Sequence, residues 1–305
     1  MKESPLVTIA IPCFKAKYLD KAITSALSQT WNNIEVIVVD DSSPNDILSI
    51  VKRFNDERLK YVRNEKNLGV LNPALNWNRC IELAKGDFFC LLCDDDVYEP
   101  EFVETLLSLA DNYPECNTFR TRADIVDING NVIGRYASSP LAETWEDYLW
   151  HVANGYRTQT ISEWMYRTGA LRENGGFASL PLAWYADYLT IFRIARNGGI
   201  VSTSNILVHF RQSGENISSR DSDNTEKKIQ ASQQYRCEVE KLLNDSQDKL
   251  AILNVLDKLL KQHLKYNLNH ANRKTICGLL LKYKKYNLHI GWLWKAFWHT
   301  IFNRR

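Results

Sequence analysis

Asp87-Phe88-Phe89-Cys90-Leu91-Leu92-Cys93-Asp94-Asp95-Asp96 is the stretch on which the reading of this chain turns. After Asp87, six apolar or sulfur-bearing residues follow one another without alternation. That pattern suits a strand buried on both faces, as in a parallel sheet covered by helices. The strand then runs out on three consecutive carboxylates. In an open α/β sheet, ligands bind in the crevice beyond the carboxyl ends of the strands. Three acids there repel one another unless positive charge arrives. A hard divalent cation, shared with a phosphate-bearing substrate, answers that need. Read more plainly, the triplet is a solvated acidic turn.

The residues upstream repeat the theme. Leu6 to Ile11 reads as a strand stopped by Pro12, and Leu19, Ala22, Ile23, Ala26 and Leu27 have helical spacing within 17–29. Ile34 to Val39 is a second buried strand that ends on Asp40-Asp41, followed by Ser42-Ser43-Pro44. Asn45 suits the cap of a helix reaching about Phe54, and Leu59 to Arg63 is a short third strand. Asn67-Leu68-Gly69 is a turn, Pro73 opens a further helix, and Gly86 stands where a left-handed helix cap belongs. The order β-α-β-α-β-α-β predicts a doubly wound, mostly parallel sheet flanked by helices. Strand ends on one rim put Asp41 and Asp95 beside the same crevice, where one reads a base or sugar and the other holds a metal on phosphates. Asp40-Asp41-Ser42-Ser43 reads equally as a strand-to-helix turn with capping residues. No G-x-G-x-x-G or Walker-type glycine loop follows the first strand, which disfavours dinucleotide and P-loop readings.

Downstream, 101–112 is predicted helical, 117–122 a strand, and Asp127-Ile128-Asn129-Gly130-Asn131-Val132 a hairpin turn. The Trp- and Tyr-rich stretch 145–167 resists assignment. Glu173 to Phe177 is a loop. Asp187 stands near the start of a helix carrying Leu189, Ile191, Phe192, Ile194 and Ala195. An acid in a first helical turn often only complements the helix dipole. Residues 200–210 are strand-like and lead to Arg211.

The chain has 305 residues and a formal net charge of +2, with ordinary apolar content for a soluble globular protein. Its length suits one large domain, 1–220, plus a smaller helical region, 221–305. Seven cysteines at irregular spacing do not read as a disulfide framework. Cys90 and Cys93 alternate across the proposed strand and read as core residues, not zinc ligands. The N-terminus has neither signal-peptide nor transmembrane character, so a reducing, cytoplasmic location is expected. From Lys258 to Arg305 there are eleven Lys or Arg and no Asp or Glu. The last piece, 288–302, is rich in Trp and too short to span a bilayer of ~30 Å. Trp beside Lys and Arg suits the headgroup interface, so the expectation is a protein peripheral on an anionic inner membrane face. Packing on the domain or in a homodimer is the other reading. Nucleic acid is disfavoured, because no recognised binding module accompanies the basic run.

Taken together, the pieces resemble the family-2 glycosyltransferases of GT-A fold over about residues 5 to 220. Ile11-Pro12-Cys13-Phe14 is similar to that family's Ile-Pro-x-Tyr-Asn. Ser28-Gln29-Thr30 precedes Ile34-Glu35-Val36-Ile37-Val38-Val39-Asp40-Asp41-Ser42-Ser43, and Asn67-Leu68-Gly69 and Asn76-Trp77-Asn78 match one branch. Ala84-Lys85-Gly86-Asp87-Phe88, Asp94-Asp95-Asp96 and Pro100 match the metal motif. Gly175-Gly176-Phe177, then Asp187, and Phe210-Arg211 with Asn216-Ile217-Ser218 complete the likeness. The resemblance implies donor contacts at Pro12, Phe14, Asp41, Asn78, Asp94 and Arg211. It implies a Mg²⁺ or Mn²⁺ ion on Asp95 with Asp96, and a general base at Asp187. The implied reaction transfers a sugar, with inversion, from a nucleoside diphosphate sugar (UDP favoured) to a saccharide or lipid-linked acceptor, as in bacterial surface polysaccharide assembly. Trp184 and Tyr185 suit stacking on an acceptor sugar or packing in the core. Four residues depart from the pattern: Lys15 for Asn, Cys93 for the first Asp of D-x-D, Ala186 for Glu, and Ser213 for His. The losses at Cys93, Ala186 and Ser213 keep alive an alternative, a non-catalytic sugar-nucleotide-binding or scaffold protein at the membrane. A nucleotidyltransferase is disfavoured by the missing glycine-rich loop.

Overall fold

The computed structural model describes residues 4–70, 72–214 and 224–302. Its first half alternates as expected: β1 (Val7–Cys13), α1 (Leu19–Leu27), β2 (Ile34–Asp40), α2 (Ile47–Val51), β3 (Leu59–Arg63), α3 (Ala74–Leu83) and β4 (Phe88–Leu91). There follow β5 (Val97–Tyr98), α4 (Phe102–Asn112), β6 (Thr118–Val126), β7 (Val132–Arg135), β8 (Ala142–Glu143) and α5 (Trp145–Ala153). Then come β9 (Trp164–Arg167), α6 (Thr168–Glu173), α7 (Ala186–Ala195) and β10 (Ile200–Arg211). Four helices end the described chain: α8 (Thr225–Leu242), α9 (Lys249–His270), α10 (Arg273–Lys282) and α11 (Ile290–Phe302).

The strands form one sheet in the order β3-β2-β1-β4-β9-β6-β10-β5, with β7 on β6 and β8 on β10. The first four strands are all parallel, as the apolar runs require. Alternate residues of each run enter different cores. Ala10, Ile37, Val39, Phe89 and Leu91 point to one, covered by α3, α5, α7, α8 and α9. Ile9, Ile11, Val36, Val38, Phe88 and Cys90 point to the other, covered by α1, α2 and α4. Each such fully buried side chain contributes about 1.5–3 kcal/mol relative to exposure. Burial on both faces explains why the runs do not alternate with polar residues.

Beyond β4 the sheet becomes mixed. β9 lies antiparallel to both β4 and β6, wedged between them. The unassigned stretch 145–167 therefore resolves into α5, a short 3₁₀ turn (Ile161–Glu163) and β9. The hairpin at 127–132 is present as the β6–β7 connection, with Gly130 at φ 96°.

Three local expectations are corrected. β4 stops at Leu91, so Cys93 lies past the strand instead of on its opposite face. The helix cap near residue 45 is Asp46, whose Oδ1 accepts the Ser49 amide at 3.1 Å. Gly86 is not a left-handed cap, because α3 already ends at Leu83. A Cβ at Gly86 would lie 2.6 Å from the Thr8 nitrogen and 2.8 Å from the Leu6 oxygen. Glycine is required there by the close approach of β1.

The C-terminal helices divide. Tyr235, Val239, Ile252, Leu253 and Leu256 of α8 and α9 join the core under α5 and α7. Ile229, Leu268, Ile276, Leu279, Leu293 and Ala296 make a separate cluster with α10 and α11. The seven cysteines are unpaired.

Candidate active site

The rim of the crevice is built where β1 and β4 end. The loop after β1 turns back on the triplet. The backbone amides of Phe14 and Lys15 both donate to Asp94 Oδ2, at 3.0 and 2.8 Å. Lys15 Nζ lies 2.8 Å from Asp95 Oδ2 and 3.6 Å from Asp94 Oδ1. Ser213 Oγ reaches the same Asp95 oxygen at 3.2 Å. Asp96 is fully buried. Its Oδ1 accepts the Arg211 amide at 2.9 Å and its Oδ2 accepts Ser162 Oγ at 2.6 Å. Three neighbouring acids out of water are electrostatically expensive. Burial, then the Asp95 charge, pushes the Asp96 carboxyl up to about 8. Burial also raises Asp94, with Lys15 opposing.

The triplet thus divides its work. Asp94 fixes the β1 turn, Asp96 fixes β10 and the 3₁₀ turn, and Asp95 lies between the Lys15 and Ser213 side chains. Arg211 is also buried. Its Nε donates to the Asp95 carbonyl at 3.0 Å, and its guanidinium lies 4.5 Å over the Tyr18 ring. It braces the rim from beneath. Pro12 is half-buried and Phe14 is exposed beside it.

Asp41 extends the rim past β2. Its Oδ1 accepts the Leu68 amide and Asn64 Nδ2, both at 2.8 Å, and its Oδ2 accepts the Gly69 amide at 2.7 Å. The carboxylate therefore organises the Asn67-Leu68-Gly69 turn, and reaches a nucleotide base only by sharing those oxygens. Asn78 uses its amide on backbone: Oδ1 accepts the Phe177 amide at 2.7 Å and Nδ2 donates to the Phe177 carbonyl at 3.0 Å. This clamp explains the second of the paired glycines. Gly176 sits at φ 72°, and a Cβ there would lie 2.4 Å from Asn78 Oδ1.

Asp187 opens α7. Its Oδ2 accepts Gln159 Nε2 at 2.9 Å, and Gln159 Oε1 accepts the buried Tyr148 hydroxyl at 2.7 Å. Burial raises the Asp187 carboxyl above the ordinary range, opposed by Gln159. The segment 159–163 ties the two acidic centres together, since Gln159 holds Asp187 and Ser162 holds Asp96. Beside it, Glu163 pairs with the buried Arg120 (Arg120 Nε to Glu163 Oε1, 2.7 Å), and burial pushes its carboxyl up to about 7. Just before α7, Leu182, Ala183 and Tyr185 adopt φ values of 61°, 53° and 65°. Such left-handed residues cost of order 1–3 kcal/mol each and persist where surroundings hold them. Here Tyr185 stacks on Tyr235 of α8 at 4.7 Å, and its hydroxyl meets His263 Nδ1 of α9 at 2.7 Å. Tyr185 thus packs among the C-terminal helices.

The residues Gln159, Ser162, Tyr148 and His263 carry no motif; only their long-range partners reveal them. Asn216-Ile217-Ser218 lies outside the described residues.

An all-oxygen rim suits a hard divalent cation, which takes one or two carboxylates together with substrate phosphates. Among the described residues, no group of three or more His, Cys, Asp or Glu is arranged to hold a metal by itself. Asp95, the residue expected to hold a metal, is paired here with the Lys15 ammonium.

Residues 8–167 match the sequence profile of Glycosyl transferase family 2. The chain belongs to that family. An uncharacterized glycosyltransferase of Haemophilus influenzae is 25% identical over 244 residues, covering 75% of this chain and 73% of its own length. The putative colanic acid biosynthesis glycosyl transferase WcaA of Escherichia coli K12 is 33% identical over 111 residues, 35% of this chain and 39% of that protein. The crystal structure of S. aureus TarS residues 1–349 in complex with UDP-GlcNAc superimposes with a TM-score of 0.68 at 18% identity, covering 96% of this chain and 90% of that one. At that identity the likeness speaks for the fold. The architecture is GT-A, with C-terminal helices added.

Proposed function

We propose that this family-2 glycosyltransferase moves a sugar, with inversion, from a UDP-sugar to a saccharide or lipid-linked acceptor in bacterial surface polysaccharide synthesis. The observation that carries the reading is the tether of 159–163, which joins the Asp94–Asp96 rim to Asp187. One side of the crevice then offers the Lys15 ammonium, and at Asp95 a carboxylate that would hold a divalent cation, for a diphosphate, and the other offers a base. Support for the nucleotide comes from the similar TarS structure bound to UDP-GlcNAc, and for the pathway from the colanic acid relative.

Asp187 takes the proton of the acceptor hydroxyl as that oxygen attacks the anomeric carbon. The leaving diphosphate departs from the opposite face, so one positioned carboxylate suffices and no covalent intermediate is needed. A carboxyl raised by burial is a better base than an ordinary aspartate, and the Gln159 hydrogen bond opposes that rise. Asp95 is the residue that would hold Mg²⁺ or Mn²⁺, which when bound supplies Lewis-acid charge to the departing diphosphate. Asp94 and Asp96 keep Asp95 in place through their bonds to the β1 turn, Ser162 and Arg211.

The tail supports a place on the membrane surface. No described helix is long and apolar enough to cross a bilayer. Instead α11 buries Leu293 and Ala296 while Ile290, Trp294 and Trp298, spaced four residues apart, are exposed at 43%, 47% and 52%. An apolar stripe with two tryptophans, on a region rich in Lys and Arg, suits an anionic lipid interface.

Calorimetric titration of UDP, with and without Mn²⁺, tests the donor site. The expected result is Mn²⁺-enhanced binding by the wild type that Asp95→Ala loses. Absence of UDP binding in every condition would overturn the UDP reading.

A further inference from the structure

The crevice carries a positive charge that the family pattern does not supply. Lys15 replaces the usual Asn, and its ammonium is 2.8 Å from Asp95 Oδ2 and 3.6 Å from Asp94 Oδ1. Its side chain is only 26% exposed, and its own amide is fixed to Asp94 Oδ2 at 2.8 Å. The other cation beside the triplet, Arg211, is held by the Asp95 and Asp127 carbonyls and by Tyr18, so its charge stays behind the rim. Lys15 instead approaches Asp95 from the β1 turn, next to exposed Phe14.

A Mg²⁺ ion bound to Asp95 would sit ~2.0–2.1 Å from a carboxylate oxygen. That places it within a few ångströms of the ammonium in its present position. Two cations so close repel strongly at the dielectric of a half-buried site. Asp95 can therefore hold Lys15 or a metal ion closely, but not both in this arrangement. The lysine stem is long and flexible, and its ammonium binds phosphate as a point charge.

We propose that Lys15 is a counter-cation that neutralises Asp95 before ligands bind and moves onto the donor's diphosphate when a divalent ion takes its place. The proposal rests on reading the crevice as the site of a nucleoside diphosphate. It makes metal binding depend on nucleotide: without diphosphate to receive Lys15, the ion must displace the ammonium from Asp95 with only Asp94 left to stabilise it. Even while it remains on Asp95, the ammonium offsets the repulsion between that carboxylate and a diphosphate, so Lys15 also favours nucleotide binding without metal.

The test uses the full chain and two ligands, Mn²⁺ followed by electron paramagnetic resonance of the free ion, and UDP followed by calorimetry. Lys15→Asn removes the charge and restores the residue type usual at this place. Lys15→Gln serves the same end should that variant not fold, and Lys15→Arg retains the charge. The proposal expects Lys15→Asn to bind Mn²⁺ without nucleotide about tenfold more tightly than wild type, and UDP without Mn²⁺ about tenfold more weakly, from the charge–charge terms involved. Lys15→Arg should resemble wild type in both. Mn²⁺ binding that is equal in wild type and Lys15→Asn, or undetectable in both, overturns the proposal. So does metal-free UDP binding that ignores the substitution. Failure of the wild type to bind UDP even with Mn²⁺ refutes the donor reading instead, and the Mn²⁺ comparison still judges Lys15 by itself.

Discussion

Gln159→Leu separates the base from its support while leaving the rim intact. In the wild type, Gln159 Nε2 donates to Asp187 Oδ2 at 2.9 Å, and the Tyr148 hydroxyl donates to Gln159 Oε1 at 2.7 Å. Leucine is similar in size and offers neither group. A hydrogen bond to a charged partner contributes ~1.5–3 kcal/mol. Its loss disfavours the Asp187 carboxylate, already raised by burial, and raises it further. The sign follows directly: a base works deprotonated, so activity falls as pH drops through its folded pKa, and the acidic limb of the variant lies at higher pH than that of the wild type. On the acid side of both limbs, the carboxylate population falls by about ten- to a hundredfold, by the same ~1.5–3 kcal/mol. On the alkaline side the two enzymes converge, apart from any misplacement of the carboxylate. The buried Tyr148 hydroxyl also loses its acceptor, which costs roughly 1–3 kcal/mol of stability, or a fall in melting temperature of about 2–4 °C per kcal/mol. The assay is UDP release from a UDP-sugar across mildly acid to mildly alkaline pH, with thermal unfolding on the same samples. A variant that melts lower but keeps the wild-type acidic limb would refute the assignment of that limb to an Asp187 held by Gln159.

Other expectations follow from single contacts. Gly176→Ala places a methyl group 2.4 Å from Asn78 Oδ1 at a φ of 72°, so it should destabilise the chain by about 1–3 kcal/mol, read by chemical denaturation. An unchanged midpoint would show that the Asn78–Phe177 clamp does not require glycine. Replacing Trp294 and Trp298 together with serine should abolish sedimentation with anionic vesicles while lowering the melting temperature by only a few degrees, because both rings are about half-exposed and pack edge-on against Phe297. Vesicle binding that persists in the double variant would remove the tail from the membrane account.

The half of the sheet that was legible in the sequence is the half whose strands are buried on both faces. β1, β2 and β4 are continuous apolar runs because alternate residues enter two different cores, and the acidic ends of β2 and β4 point to the crevice without any knowledge of packing. The antiparallel insertion of β9 was not legible. Trp164 to Arg167 is a short strand whose partners, Phe88 to Cys90 and Thr118 to Arg120, lie far away in sequence, so no local period announces it. The same holds for the site. Asp94 to Asp96 and Asp187 stand out by charge, but Gln159 and Ser162 look like ordinary loop residues. Their roles arise from partners 28 and 66 residues distant. Gly86 was read through the helix before it, whereas β1, packed against it, decides the residue. The exposed stripe on α11 needed the burial of Leu293 and Ala296 to become visible in a sequence that is apolar almost all round.

The most direct test of the central claim compares wild type with Asp187→Asn for turnover of a UDP-sugar and for UDP affinity, with the anomer of the first-released sugar read by proton NMR. The substitution removes a carboxylate whose ionisation burial opposes, and whose charge costs stability as pH rises from the ordinary aspartate range through its raised folded value. Asp187→Asn should therefore melt no lower than wild type at neutral pH. The account predicts an inverted anomer from the wild type, turnover reduced by about a hundredfold or more in Asp187→Asn, and unchanged UDP affinity. Full turnover in Asp187→Asn, or a retained anomer from the wild type, would contradict it.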